Sequence, residues 1–114
     1  MKLIGECNYG LVTQATNHST GVELHAKSGV ITLAAVALAA ATNAEFGVTN
    51  SYCRDDSVVL LTMDDRNTTD NAQLVCSVVN TAARAFKISI HNPAATGATS
   101  ATASKVNFQI INPI

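Results

Sequence analysis

The sequence predicts an all-β protein: a single-domain antiparallel β-sandwich of jelly-roll type, with about seven or eight short strands. Short segments rich in β-branched residues recur at intervals of about 8–12 residues, turn-forming residues separate them, and helical patterns are scarce. A chain of 114 residues is long enough for one domain. We therefore expect residues 11–114 to form the sandwich and residues 1–10, which lack a strand pattern, to form an N-terminal arm.

The strands follow from alternation and from the turns between them. Asn17, Gly29 and the Asn92-Pro93 pair interrupt the pattern and mark turns. The predicted strands span residues 11–16, 20–25, 30–33, 45–50, 57–63, 73–79, 84–90 and 105–111. Alternation directs one apolar face of three of these strands inward, and the predicted core side chains are Phe46, Val48, Phe86, Ile88, Ile90, Val106, Phe108 and Ile110.

Three segments depart from simple alternation. Residues 34–41 are rich in alanine but have no amphipathic stripe and no N-cap, so they predict a tight connection with at most one helical turn. The strand at 57–63 is apolar on both faces, which is typical of a strand in a sandwich core or of one covered on its second side by another subunit. Residues 93–104 have low complexity and predict a mobile surface loop.

The charge content argues against some partners and favours others. The net charge is −1 and charged residues make up 13% of the chain, so no basic stripe is present to bind nucleic acid. The apolar run from Val30 to Ala41 is too short to cross a membrane. A weakly charged surface rich in small residues has a low desolvation cost when it contacts another protein. The composition therefore favours assembly over an ordinary β-domain whose surface binds no partner.

The reactive residue types do not form a recognisable active site. Cys7, Cys53 and Cys76 are far apart in sequence; Cys76 is expected in the core and the other two in polar surroundings. No nucleophile motif accompanies His18, His25 or His91. We expect neither enzymatic activity nor a cofactor.

Paired aspartates raise the question of calcium. Asp55-Asp56 and Asp64-Asp65 flank the strand at 57–63, and Asp70 follows. The two pairs lie at opposite ends of that strand and cannot share an ion within one subunit, and neighbouring arginines can neutralise them. No metal is predicted, although calcium at either loop stays open.

Several motifs resemble those of small virion proteins of tailed phages, a group that includes capsid decoration, or cement, proteins. The matching segments are TQAT at 13–16, STGV at 19–22, GVIT at 29–32, VTNS at 48–51, FKISIHN at 86–92 and VNFQI at 106–110. The resemblance extends over most of residues 10–111 and its motifs are structural. The chain departs from the group at Ala41-Thr42-Asn43, where a glycine often makes the turn, and in its alanine-threonine loop near residue 97.

The resemblance implies a homotrimer on the outer surface of the capsid that stabilises contacts between subunits of the major capsid protein. The alternative is a trimeric tail-fibre or receptor-binding module of the phage tail. Small apolar side chains suit close subunit contact, and the interface residues we predict are Val30, Val36, Leu38, Leu61 and Met63. Burial of residues 30–41 within one subunit is the competing interpretation.

Overall fold

The computed structural model of the chain describes residues 9–66 and 74–113. The described residues contain eight strands and no helix, which confirms the predicted all-β, sandwich-like domain. The strands are β1 (Tyr9–Thr13), β2 (Val22–Glu23), β3 (Ser28–Thr32), β4 (Thr42–Thr49), β5 (Val58–Asp64), β6 (Val75–Ala82), β7 (Ala85–Asn92) and β8 (Lys105–Ile111).

The strands form two four-stranded sheets. Sheet A has the order β1-β3-β8-β5, and sheet B has the order β2-β4-β7-β6. The pairs β1/β3 and β2/β4 are parallel, whereas the other neighbours are antiparallel. The sheets are therefore mixed, and the prediction of a purely antiparallel sandwich was wrong on this point.

The parallel pairs arise from the path of the chain between the sheets. From β1 to β6, successive strands alternate between sheet A and sheet B, so strands two apart in sequence return to the same sheet in the same direction. The alternation ends at the β6/β7 hairpin, whose strands are neighbours in sheet B. Spacing along the sequence predicts the strands but not this crossing, which depends on which apolar faces meet.

The core lies between the two sheets, and the predicted inward side chains occupy it. Phe46, Val48, Phe86, Ile88, Ile90, Val106, Phe108 and Ile110 are all buried. The rings of Phe86 in sheet B and Phe108 in sheet A lie with centroids 5.8 Å apart and planes tilted by 55°. This tilted contact joins the two sheets across the core.

Strand β1 begins two residues earlier than predicted. Tyr9 and Gly10 belong to sheet A, so they are not part of an arm, and residues 1–8 of the predicted arm lie outside the described residues. Gly10 pairs with Gly29 of β3, and a Cβ atom on Gly29 would lie 2.4 Å from the Gly10 carbonyl oxygen. The close approach of these backbones requires glycine at position 29.

The alanine-rich segment forms an irregular connection without a helical turn. Ala34 and Leu38 of this segment are buried, so part of it belongs to the subunit's own core. Ala41 has a φ of 54°, in the left-handed region that favours glycine, just before β4 begins at Thr42. The alanine thus makes this turn despite its Cβ atom.

The loop between β7 and β8 is tied to the connection between β3 and β4. The Leu38 backbone N–H donates to Thr99 Oγ1 at 2.8 Å, and the Thr99 N–H donates to the Leu38 carbonyl oxygen at 3.0 Å. Thr99 and Ser104 are buried. Residues 93–104 were predicted as a surface loop, but these contacts fix parts of the loop against the sandwich.

Candidate interaction surface

The outer face of sheet A carries apolar side chains that no residue of the described chain covers. Strands β1 and β5 form its two edges, with Leu11 69% exposed on β1 and Leu60 50% exposed on β5. The other large apolar side chains exposed on this face are Tyr9, Val58 and Ile111. Each points away from the core because its neighbours in sequence point inward.

The strand register divides this face into a polar centre and apolar edges. One row across the sheet runs Tyr9, Ser28, Gln109, Leu60, and the next runs Leu11, Val30, Asn107, Thr62. Side-chain amides therefore occupy β8, one of the two inner strands, whereas the other inner strand, β3, presents Ser28 and the half-buried Val30. The most exposed apolar groups occupy the edge strands. We call Tyr9 and Leu11 the β1-edge patch, and Val58, Leu60 and Ile111 the β5-edge patch.

Charge on this face is confined to one end. Among the outward-facing strand residues that the structure describes, Asp64 and Lys105 are the charged ones, and they are paired in register between β5 and β8. The Arg66 guanidinium donates two hydrogen bonds to the Asp64 carboxylate, at 3.1 and 3.0 Å, and with the charge of Lys105 this lowers the pKa of Asp64. The Asp64 carboxylate is thus neutralised by the neighbouring cations.

A shallow groove of about 250 Å³ lies on the same face, beside the β5-edge patch. Ser28, Leu60, Thr62, Asn107 and Gln109 surround it, and Phe108 reaches it from below. The groove has room for an apolar side chain from another molecule, with amide groups next to it.

The outer face of sheet B has a different character. Glu45 and Lys87 are exposed on β4 and β7, and Glu23 of β2 lies 2.7 Å from the His25 ring nitrogen Nε2. A groove of about 460 Å³ lies above Gly47, where no side chain fills the sheet surface. This face is more highly charged than that of sheet A, so the two faces suit different surroundings.

The predicted interface residues separate into three groups. Val30 lies on the outer face of sheet A, next to Leu11, and Val36 lies half-buried in the connection after β3. Leu38 is a core residue, and Leu61 and Met63 pack against the core from the inner side of β5. This placement corrects the expectation that these last three line an intersubunit surface, because β5 turns the opposite set, Val58 and Leu60, outward.

Sequence reasoning missed the β1-edge patch for a local reason. The sequence predicts a strand from Leu11 and places Tyr9 in the arm, whereas Tyr9, Leu11 and Thr13 alternate along one strand and face outward. The signal at β5 was present, since a strand that is apolar on both faces must expose one of them unless something covers it.

Asp56, Asp64 and Asp65 form hydrogen bonds within the subunit. Arg54 donates to the Asp56 carboxylate at 3.0 and 2.9 Å, in the same arrangement as Arg66 and Asp64. Asp65 accepts hydrogen bonds from Ser104 Oγ and from the Leu74 backbone N–H, both at 3.0 Å. Asp70 lies outside the described residues. Within residues 9–66 and 74–113, no three His, Cys, Asp or Glu side chains group closely enough to hold a metal ion.

The two described cysteines are free and packed inside the domain. Cys76 contacts the core as predicted, whereas Cys53 is buried in the core and not in polar surroundings. Its thiol lies 3.3 Å from the Ala85 carbonyl oxygen, where it can donate a hydrogen bond, and burial raises the pKa of both thiols. A raised thiol pKa disfavours the reactive thiolate. Cys7 lies outside the described residues.

Among the histidines, His18 is buried and the other two are at least partly exposed. Burial lowers the pKa of His18, against a smaller opposing effect of a hydrogen bond with the Ala34 backbone. His25 Nδ1 accepts a hydrogen bond from the Ser51 N–H at 2.9 Å, and His91 contacts Asn43 Oδ1 at 2.9 Å. Each ring therefore joins two segments of the chain.

Comparison with known protein families, with curated proteins and with solved structures finds no match to this chain. The described residues also contain no helix with the length and apolar character of a membrane span. The surface of sheet A is accordingly the feature from which a function is best argued.

Proposed function

We propose that this protein is a structural subunit of a tailed-phage virion, a capsid decoration protein that forms a homotrimer on the outer surface of the head. It stabilises contacts between subunits of the major capsid protein. The observation that carries the proposal is the apolar, weakly charged outer face of sheet A, which exposes Leu11, Val58 and Leu60. The resemblance of the strand motifs to small phage virion proteins supplies the biological setting.

Association is favourable when another protein covers a surface of this kind. Burial of apolar area contributes about 25 cal/mol per Å², and the amides of Asn107 and Gln109 can form hydrogen bonds within the covered surface. A charged surface would instead lose the hydration of its charges. The outer face of sheet A can then contact other copies of the chain, while the outer face of sheet B faces the capsid or solvent.

The tail module remains the competing function, and location in the particle separates the two. We would label intact particles of the source phage with an antibody against the purified chain and image them by electron microscopy. Label over the head lattice is the expected result. Label at the tail would replace the proposal with a tail-fibre or receptor-binding module, and particles without label would remove a virion role.

Stabilisation of the head gives a second, functional measurement. Heads that lack the protein should lose their DNA at a lower temperature than heads to which the purified protein has been added back. Serum albumin at the same concentration is the control for nonspecific protection. If heads with and without the protein released their DNA at the same temperature, a role in stabilising the capsid would be contradicted.

A further inference from the structure

We infer that copies of this chain associate head to tail through sheet A, with the β1-edge patch of one copy against the β5-edge patch of the next. The inference rests on the proposed function for the number of copies, which is three. The contact itself is argued from the described surface, and its occupant is a second copy of this chain.

The distribution of apolar groups is the first argument. Four of the five large apolar side chains exposed on sheet A lie on its edge strands, whereas Ile111 ends the inner strand β8, and Asn107 and Gln109 occupy the middle of that strand. A partner that covered the whole face from above would bury these central amides against its own surface. Contact at the edges buries Leu11 and Leu60, and the amides of Asn107 and Gln109 then line the groove next to these apolar groups, where they can form hydrogen bonds with water.

The shapes of the two patches are complementary. Leu11 is the most exposed of the large apolar side chains that the structure describes, and it projects from the β1 edge. The groove of about 250 Å³ lies over β8, between Ser28 of β3 and Leu60 of β5, so Leu60 forms one of its walls. The face therefore offers a protruding apolar group at β1 and a recess next to the β5-edge patch, which suits a contact between unlike patches.

Electrostatics permit the contact. Neither patch contains a charged residue, and the charges of this face lie at one end, where Asp64 is paired with Arg66 and lies in register with Lys105. Copies brought together through the patches therefore meet no like-charge repulsion there. The outer face of sheet B, with Glu23, Glu45 and Lys87, stays on the outside of the assembly.

Strand direction determines how neighbouring edges would run in such a ring. β1 is parallel to β3, and β3 and β5 are both antiparallel to β8, so β1 and β5 run in the same direction. Three sheets arranged around a three-fold axis along the strands would place β1 of each copy next to β5 of its neighbour. Both exposed edges of sheet A are then covered, which removes two sites at which other chains could pair.

The test uses charge pairs at the two patches and the mass of the purified protein in solution. A wild-type trimer should have a mass of about 36 kDa, three times the 11.9 kDa of the chain. We expect Leu11→Lys and Leu60→Glu each to weaken association about tenfold or more, because each buries an unpaired charge. The double variant should regain the trimer, since the introduced ammonium group of one copy then faces the introduced carboxylate of the next.

The double variant distinguishes this contact from one between like patches, in which it would place lysine against lysine and stay dissociated, and that result would overturn the inference. A two-fold dimer can pair the β1-edge and β5-edge patches reciprocally, so the mass separates it from the ring. A wild-type species of about 24 kDa, twice the 11.9 kDa of the chain, would overturn the head-to-tail arrangement. Val79→Asp is the matched control, since Val79 is 47% exposed on the edge strand β6 of sheet B. It should leave the trimer intact, and circular dichroism of every variant should show the wild-type β spectrum.

Failure of this inference and failure of the proposed function give different results. A wild-type monomer, or a trimer unaffected by either single variant, overturns the β1-to-β5 contact whatever the particle images show. Antibody label absent from the head overturns the proposed function even if the trimer behaves as expected.

Discussion

The rings of Phe86 and Phe108 meet between the two sheets, with centroids 5.8 Å apart and planes tilted by 55°. Tilted aromatic pairs contribute about 0.5–1.5 kcal/mol beyond the area they bury. We expect a double-mutant cycle with Phe86→Leu and Phe108→Leu, followed by urea unfolding, to give a coupling free energy in that range. Strictly additive losses in the double variant would mean that the rings act as independent apolar groups.

The approach of β1 to β3 depends on Gly29. A methyl group at position 29 would lie 2.4 Å from the Gly10 carbonyl oxygen, and a backbone atom cannot move aside without disturbing the parallel pair. Gly29→Ala should reduce the free energy of unfolding by about 1–3 kcal/mol.

Gly47→Ala is the control for that substitution. No atom lies within 4 Å of a Cβ at Gly47, so alanine fits there and should stabilise the strand by about 0.5–1 kcal/mol. Thermal unfolding of Gly29→Ala and Gly47→Ala tests both predictions. Equal changes in the unfolding temperature of the two variants would contradict a steric requirement at Gly29.

Asn92 is fully buried where β7 ends, and its side chain bonds three loop groups. Its Nδ2 donates to the carbonyl oxygens of Leu38 and Gly97 at 3.0 and 3.1 Å, and its Oδ1 accepts from the Ala94 N–H. Asn92→Asp removes both donations and buries a carboxylate, so we expect a loss of about 2–4 kcal/mol at neutral pH.

The exposed Asn17 provides a matched comparison. Its Oδ1 accepts a hydrogen bond from the Ser19 N–H, a role that aspartate retains. Asn17→Asp should change the free energy of unfolding by less than about 0.5 kcal/mol. If urea unfolding gave Asn92→Asp a free energy of unfolding close to that of the wild type, these loop contacts would contribute little to stability.

Ala41 occupies a backbone conformation that suits glycine better, with a φ of 54°. A residue with a Cβ pays about 1–2 kcal/mol in this region, which exceeds the entropic cost of adding a glycine. Ala41→Gly should therefore raise the free energy of unfolding by about 0.5–1 kcal/mol. Ala35→Gly, at an exposed position without a positive φ, should not stabilise the protein, and an equal gain there would refute the explanation.

The buried His18 predicts a loss of stability in acid. Burial lowers its pKa in the folded state, so below the usual value of about 6.5 the unfolded chain binds more protons than the folded one. The stability contributed by the neutral ring is full above that value and declines as the pH falls toward the lowered pKa. His18→Gln cannot titrate, so urea unfolding at about pH 7.5 and about pH 5 should show a smaller decline than in the wild type; identical declines would contradict the prediction.

The sequence alone was sufficient for the strands and for the side chains that form the core. Alternation is a local property, so Phe86, Ile88 and Ile90 in β7, and Val106, Phe108 and Ile110 in β8, could be assigned to the inner face without knowledge of their partners. The residues of β8 were predicted with its observed bounds, because Lys105 and Ile111 delimit an uninterrupted alternating run.

What the sequence could not determine is which faces and edges come together. The parallel pairing of β1 with β3 depends on the crossing of the chain between sheets, and the burial of Leu38 and Cys53 depends on contacts with segments distant in sequence. The candidate interaction surface could not be determined from the sequence either, because Leu11 and Leu60 are far apart in the chain and share one sheet face only after folding. Side-chain alternation is encoded locally, whereas the pairing of strands is decided by the free energy of burying complete faces, which only the tertiary structure defines.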